Sequence, residues 1–370
     1  MHLSELPTPA AVVDHDVLRR NCDTMATRLA TQGIALRPHV KTHKCPEIAR
    51  LQGGQGIAVS TVAEVQGFAA AGFEDQVLAV PLAPARIPEV LALARRLSLA
   101  VLVDDGAVAA ALARAAAEAG QRLSVWIKVD CGYHRAGVDP EGAEVLALAR
   151  QLQDDAHLDL AGLLTHAGHS YDCVDRGGIT QVAEQEARVT VRCAERLRAA
   201  DVAVPQVSIG STPTLSVTVD RTGVTEGRPG NYVFHDLHQA GIQSCELGDI
   251  ALSVVATVIG RYRSRGTLVL DAGALALSKD PGPSHLGGAQ EGGRICRLDG
   301  TPVPGLRLTG LSQEHGKVSV DPACPEPGLA VGDRVRILPN HSCLVSALHP
   351  QLHVVRRDRV VDRWQPVRGW

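Results

Sequence analysis

Ile34-Ala-Leu-Arg-Pro-His-Val-Lys-Thr-His-Lys44 is a short apolar run that ends in a lysine flanked by histidines, just before a helical segment. A lysine at the C-terminal end of a strand can act as an amine nucleophile. Desolvation or neighbouring cations lower its pKa and let it form a Schiff base. His39, His43 and Lys44 surround Lys41 in that sense. On its own the stretch also reads as a solvated basic turn, so the rest of the chain decides between the two.

From residue 34 to about 228 the chain alternates short β-type runs with Ala-rich amphipathic stretches. The runs are Ile34–Val40, Gly56–Thr61, Gln76–Val80, Leu99–Asp104, Leu123–Asp130, Leu158–His166, Gln206–Gly210 and Gly223–Thr225. Val108–Ala119, Gly142–Gln153 and Thr180–Ala200 are examples of the helical stretches between them. Such alternation implies parallel strands joined by crossover helices, and eight units fit a compact (β/α)8 barrel. An open doubly wound sheet is the alternative, but no G-x-G-x-x-G follows the first strand. After about Asp236 the texture changes to β runs punctuated by Gly, Pro and Asp: Val254–Val258, Thr267–Asp271, Gly293–Leu298, Lys317–Val320 and Asp333–Leu338. This reads as a second, mainly antiparallel β domain. The expected division is a barrel over 15–240 and a β domain over 241–370, joined by the N-terminal segment 1–14 with its strand Ala10–Asp14.

Composition narrows the function. The 370 residues are 45% hydrophobic and 21% charged, with a net charge of -3. No basic stripe suggests nucleic acid, no apolar run is long enough for a membrane span, and the start has no secretory pattern. The expectation is a cytoplasmic protein without a nucleic-acid or membrane partner. Nine cysteines without a C-x-x-C pair argue for reduced thiols. Three of the four tyrosines, Tyr133, Tyr171 and Tyr232, fall in Gly-rich motifs, which suggests duty at a site.

On a barrel, chemistry collects at the C-terminal strand ends. Lys41 ends the first strand. The fifth leads into Val129-Asp-Cys-Gly-Tyr-His-Arg-Ala-Gly137, which carries Arg135. The sixth leads into Gly162-Leu-Leu-Thr-His-Ala-Gly-His-Ser-Tyr171, with His166 and Tyr171. The seventh leads into Val207-Ser-Ile-Gly-Ser-Thr-Pro-Thr214, and the eighth into Thr225-Glu-Gly-Arg-Pro-Gly-Asn-Tyr232. Loops seven and eight are where barrels bind phosphate. Ser211, Thr212, Gly230 and Asn231, with their backbone N–H groups, could cradle a dianion. Gly-Ser-Thr-Pro is also an ordinary turn, so the weight lies in the register with Lys41. An imine-forming lysine plus a phosphate cradle points to pyridoxal 5'-phosphate. The arginines could serve its pyridine nitrogen or a carboxylate. Pro339-Asn-His-Ser-Cys343 adds His341 and Cys343 at i and i+2, on one side of an extended segment, a zinc-type pair. His315 and Glu314, in a polar stretch of the β domain, are either substrate or second-layer groups or an ordinary turn.

Together these motifs resemble the fold-type III pyridoxal phosphate enzymes with an alanine-racemase-like barrel and a D-serine-dehydratase-like C-terminal domain. The resemblance also rests on Thr8-Pro-Ala-Ala-Val-Val-Asp14, Leu270-Asp-Ala-Gly273, Ala276-Leu-Ser-Lys-Asp280 and Gln313-Glu-His-Gly316. It implies Lys41 as the Schiff-base lysine and Arg228 facing the pyridine nitrogen. Gly230 and Asn231 would supply phosphate N–H groups, His166 would pack on the ring, and Arg135 matches the arginine after the Asp-x-Gly turn. The racemase's opposite-face tyrosine has no match, which argues against racemisation. D-Serine dehydratases carry His-x-Cys for zinc, whereas the aldolases typically show His-x-Asp, suited to manganese or magnesium. The expectation is therefore a zinc-dependent lyase dehydrating D-β-hydroxy-amino acids to a 2-oxo acid and ammonia. D-Threonine or 3-hydroxy-D-aspartate aldol cleavage is the alternative, and a non-catalytic cofactor-binding protein ranks last. The resemblance also implies a homodimer acting on a small D-amino acid, with Lys41, His341 and Cys343 as the catalytic set.

Overall fold

The computed structural model describes residues 1–287, 291–324 and 328–370. It divides into two units, Thr24–Gly230 with Val367–Trp370, and Met1–Asp23 with Asn231–Pro366.

The first unit is the (β/α)8 barrel. Its strands are Ala35–Leu36, Ile57–Val59, Asp75–Pro81, Ser98–Val103, Leu123–Lys128, Leu158–Leu164, Gln206–Ile209 and Glu226–Gly227, all parallel and paired in a single sheet. A parallel bridge from His39 to Ala58 joins the first strand's continuation to the second and closes the ring. The closing strands are short because the first ends at Leu36, ahead of Pro38, which has no N–H to give a ladder. The eighth strand was expected at Gly223–Thr225 and lies at Glu226–Gly227 instead. Gly223, at φ +90°, belongs to the preceding turn, where Val224 N–H bonds Arg221 O at 2.9 Å.

The inward face of the barrel has two characters. Val77, Ala100, Leu102, Trp126 and Leu164 form an apolar cluster. Opposite in nature is a polar chain. Asp75 holds Arg37 at 2.8 and 3.2 Å, Arg37 Nε donates to Glu226 at 2.6 Å, Ser208 Oγ donates to the other Glu226 oxygen at 2.5 Å, and Arg228 donates to Ser208 Oγ. Buried charges persist only when paired in this way.

The second unit holds a sheet in the order Leu306–Leu311, Gly316–Val320, Thr267–Leu270, Leu252–Tyr262, Ala10–Asp14, Leu352–Arg356 and Arg359–Trp364. Arg334–Leu338 also pairs with Leu252–Tyr262 and with Arg294–Cys296. All ladders are antiparallel except that between Ala10–Asp14 and Leu352–Arg356. The eleven-residue strand Leu252–Tyr262 serves different partners along its length because of a register shift between Val258 and Gly260. The strands Leu306–Leu311, Leu352–Arg356 and Arg359–Trp364 were not expected from the sequence. None of the nine cysteines forms a disulfide. Among the described residues no helix is long and apolar enough to cross a membrane.

Candidate functional site

Lys41 lies in a 3-10 turn, Val40–Thr42, that starts where the first strand stops. His39 precedes the turn, and its Nδ1 accepts the Lys41 N–H at 3.5 Å. Lys44 N–H bonds Val40 O at 2.7 Å with Lys44 at φ +51°, while its Nζ pairs with Glu64 at 3.0 Å. The neighbouring lysine is thus neutralised, and the Lys41 side chain is left exposed.

The loop after the eighth strand is pressed onto this turn. His39 N–H bonds Pro229 O at 2.9 Å. A Cβ on Gly230 would stand 3.0 Å from His39 O and 3.2 Å from Thr42 Oγ1, so the close approach requires glycine. Arg228 is buried and donates to Ser208 Oγ, to Thr165 O and to Ile209 O, the last at 3.3 Å. Burial lowers its pKa to about 10.

The two imidazoles beside Lys41 are neutral. Burial first, then the charges of Lys41 and Arg228, hold His39 well below the usual histidine range. Burial, Lys41 and Lys128 do the same to His166. Its Nδ1 lies 2.6 Å from Gly210 O, and since a carbonyl only accepts, that nitrogen carries the proton. His166 therefore presents Nε2 as an acceptor. Tyr133 meets its ring edge-on at 6.2 Å, stacks on His169, and lies under the Arg135 guanidinium at 5.0 Å. Arg135 is exposed, and Tyr171 is half-buried in the 3-10 turn Gly168–Asp172.

Ser211 caps the short helix Thr212–Ser216 by accepting Thr214 N–H at 3.2 Å, and its hydroxyl also meets Ser170 Oγ at 2.9 Å. Thr212 is fully buried. The expected phosphate loop is thus held rigidly by its own side chains. The residue that fixes it was missed from sequence: Glu186, fully buried on the helix Arg176–Arg198. It accepts Ala167 N–H at 3.0 Å, Gly210 N–H at 3.1 Å and the Thr214 hydroxyl at 2.7 Å. One carboxylate thereby ties the loops after strands six and seven together. A charged residue within the buried stripe Ile179, Ala183, Ala187, Thr190 was the available signal.

In the second unit His341 and Cys343 come together, but not on an extended segment. His341 is the N-cap, at φ -139°, of a helix Ser342–Leu348, with Cys343 in its first turn. Asp236 makes the turn possible. Its Oδ2 accepts Ser342 N–H at 3.0 Å, and its Oδ1 caps the helix Leu237–Gly241 through Gln239 N–H at 2.9 Å. Asn231 donates to Asp236 at 2.8 Å and to Ser342 Oγ at 2.9 Å, and its Nδ2 lies 3.6 Å from Cys343 Sγ. Its amide nitrogen is therefore engaged beside the His–Cys pair. His341 Nδ1 meets Asp280 Oδ2 at 3.0 Å, while Asp280 Oδ1 accepts Gly282 N–H at 2.8 Å. Asp236 and Asp280 were not assigned from sequence, because only tertiary structure brings them to the pair.

The chemistry of this donor set fits a divalent metal. Burial works against a charged His341, but Cys343, Asp280 and Asp236 outweigh it and push its pKa up to about 11. The same negative field attracts a cation. A carboxylate on Nδ1 leaves Nε2 for a metal, the arrangement that orients ligating histidines. Among the described residues no group of three or more His, Cys, Asp and Glu side chains is built to hold a metal, so the pair would bind it with open positions. His315 is exposed at the tip of the hairpin turn between Leu306–Leu311 and Gly316–Val320, where Ser312 N–H bonds His315 O at 2.9 Å.

Comparison with known proteins agrees with this architecture. The family profile "Alanine racemase, N-terminal domain" matches residues 13–237, and one for a serine dehydratase domain matches 251–355. The chain is 41% identical to a D-threo-3-hydroxyaspartate dehydratase from Delftia sp. (strain HT23), over 100% of this chain and 99% of that one. The solved structure of that dehydratase superposes with a TM-score of 0.96, covering 100% of both chains. Two of its variants match as well. One has a histidine changed to alanine; the other has a cysteine two positions further on changed to alanine and is in a metal-free form. A D-serine dehydratase from Dictyostelium discoideum is 34% identical over 100% of this chain and 98% of its own. A D-threonine aldolase from Arthrobacter sp. is 32% identical over 98% and 93%.

The chain therefore belongs to the alanine-racemase-like, fold-type III family of pyridoxal phosphate enzymes that couples this barrel to a serine dehydratase domain. It is a pyridoxal-phosphate-dependent lyase.

Proposed function

We propose that the protein dehydrates D-β-hydroxy-amino acids to a 2-oxo acid and ammonia, using zinc at His341 and Cys343. The observation that carries the reading is the His341–Cys343 pair at a helix start with Asp280 on the histidine. A thiolate ligand favours zinc over harder cations. The spacing of the two altered positions in the Delftia variants, a histidine and a cysteine two apart, is the same. The 41% relative is a dehydratase, which supports elimination over aldol cleavage.

Bound pyridoxal phosphate draws the electrons of the breaking α bond into its ring, and bound zinc polarises the β-hydroxyl as a Lewis acid. The chain's residues supply the rest. Lys41 Nζ would hold the cofactor aldehyde, and as a free amine it would serve as the general base for the α-proton. Arg228, buried and held by Ser208, Thr165 and Ile209, would face the pyridine nitrogen and, as a cation, disfavour its protonation. His166, neutral and locked by Gly210 O, would pack on the ring without adding charge. Ser211, Thr212 and the Gly230 loop would hold the phosphate, and Glu186 fixes the loop that carries Ser211 and Thr212. His341 and Cys343 would hold the zinc, with Asp280 fixing the imidazole.

The test is product analysis with pure holoenzyme. Incubation with D-threo-3-hydroxyaspartate, D-serine and D-threonine should yield oxaloacetate, pyruvate or 2-oxobutyrate with ammonia. Glycine plus an aldehyde as the main products would replace dehydration by the aldolase reading. Asp280→Asn should weaken metal affinity by about 10- to 100-fold, the usual effect of losing a group that orients a ligand. It should leave the cofactor's absorbance intact. Unchanged metal affinity in a titration would remove Asp280 from this role.

A further inference from the structure

Lys128 ends the fifth barrel strand, paired with Leu164 of the sixth. It stands two residues after Trp126, a member of the apolar cluster inside the barrel, so strand alternation puts it on the same inward face. It is only 7% exposed. Among the described residues it has no hydrogen-bond or ion-pair partner, unlike the other buried cations of the barrel interior. Arg37 is shared by Asp75 and Glu226, and Arg228 is held by a hydroxyl and two carbonyls. Burial first, then the charges of Arg228 and Arg135, bring its pKa down to about 8, against the opposing pull of Cys131 and Glu186. It still carries its proton at neutral pH. A buried ammonium left among guanidinium groups is costly unless an anion joins it.

A count of cations identifies that anion. Three positive groups act on His166, namely Lys41, Lys128 and Arg135, and a fourth, Arg228, acts on Lys128 and on His39. Lys41 would be taken up by the cofactor aldehyde and so is not available to a second anion. Arg228 is committed to Ser208, Thr165 and Ile209. Glu186, committed to Ala167, Gly210 and Thr214, acts on Lys128 only through space, and neither Lys128 nor Arg135 has an ion pair among the described residues. Arg135, exposed and resting on Tyr133, offers a planar fork suited to the α-carboxylate common to all amino acids. That leaves a compact, deeper ammonium for a second anionic group. We propose that Lys128 is the specificity-determining residue for a carboxylate on the substrate side chain, so that the preferred substrates are dicarboxylic D-β-hydroxy-amino acids of the 3-hydroxyaspartate type. The assignment rests on the dehydratase reading above.

Two measurements on the holoenzyme test it. In the first, Lys128→Met, which keeps the side-chain volume, should lower kcat/KM for D-threo-3-hydroxyaspartate by about 100-fold, mainly through KM, as expected for loss of a hydrogen bond to a charged group. Turnover of D-serine should change by less than about threefold, and Lys128→Arg should recover part of the loss. In the second, calorimetric titration with succinate, which has two carboxylates and no amine, should show at least tenfold weaker binding to Lys128→Met, with propionate binding unaffected. Equal losses for both substrates, unchanged succinate affinity, or a lowered cofactor affinity would overturn the assignment. So would a mass gain of one carbon dioxide on the peptide carrying Lys128, since the lysine would then supply its own negative charge. If the native enzyme dehydrates none of these substrates while the succinate difference holds, the reaction is wrongly read and the subsite stands.

Discussion

Lys41→Ala is expected to remove the visible absorption band of the lysine-bound cofactor and to slow dehydration on the order of 10³-fold or more, because the general base goes with the anchor. The variant should still fold. The Lys41 side chain is exposed, and its turn is held by backbone bonds from His39 to Pro229 and from Lys44 to Val40. Absorbance and borohydride reduction followed by peptide mapping decide the matter. Borohydride trapping in the native protein should label the peptide around Lys41. If Lys41→Ala keeps a reducible adduct on another lysine, Lys128 being the obvious competitor, the anchor has been misplaced.

The second large effect concerns the metal. A zinc ion on two protein ligands is loosely held, so a chelator should strip it without unfolding the chain. Dehydration should vanish and return with added zinc. The cofactor band should persist throughout, because the lysine turn and the loops that Glu186 ties form one network and the His341–Cys343 pair another. Cys343→Asp exchanges a soft ligand for a hard one and should shift preference towards manganese or magnesium. It should also raise aldol cleavage relative to elimination. Full turnover in protein shown by elemental analysis to lack metal would end the zinc mechanism, while leaving the barrel and the lysine in place.

The barrel was legible because its signals are local. Strand runs alternate with amphipathic helices, and Lys41, Arg135, His166 and Arg228 stand where strands end. The errors came where local and tertiary signals part. Gly223 looked like a strand start and is a turn at positive φ. The segment around His341 follows a strand and was read as its continuation, but Asp236, more than a hundred residues earlier, caps a helix there. No periodicity in seven residues announces that helix. The hairpin Leu352–Arg356 and Arg359–Trp364 was missed because its second strand, half exposed and studded with Arg and Asp, hides the apolar alternation. Asp280 and Asp236 could not be assigned from spacing at all. Glu186 and Lys128 could have been, since each interrupts an apolar pattern with a charge, and such interruptions in a core are costly unless paired or functional.

The polar chain inside the barrel has a further meaning for how this enzyme could vary. The guanidinium of Arg228 reaches the outside world through Ser208, Glu226 and Arg37 to Asp75, whose side chain is 47% exposed. The wall residue and the inner arginine are thus links of one electrostatic circuit. Natural sequence drift at a position that touches neither substrate nor cofactor would change how firmly Glu226 is shared, and with it the field at Arg228. The barrel carries on its rim a tuning screw for its own centre, open to mutation without any contact residue being altered.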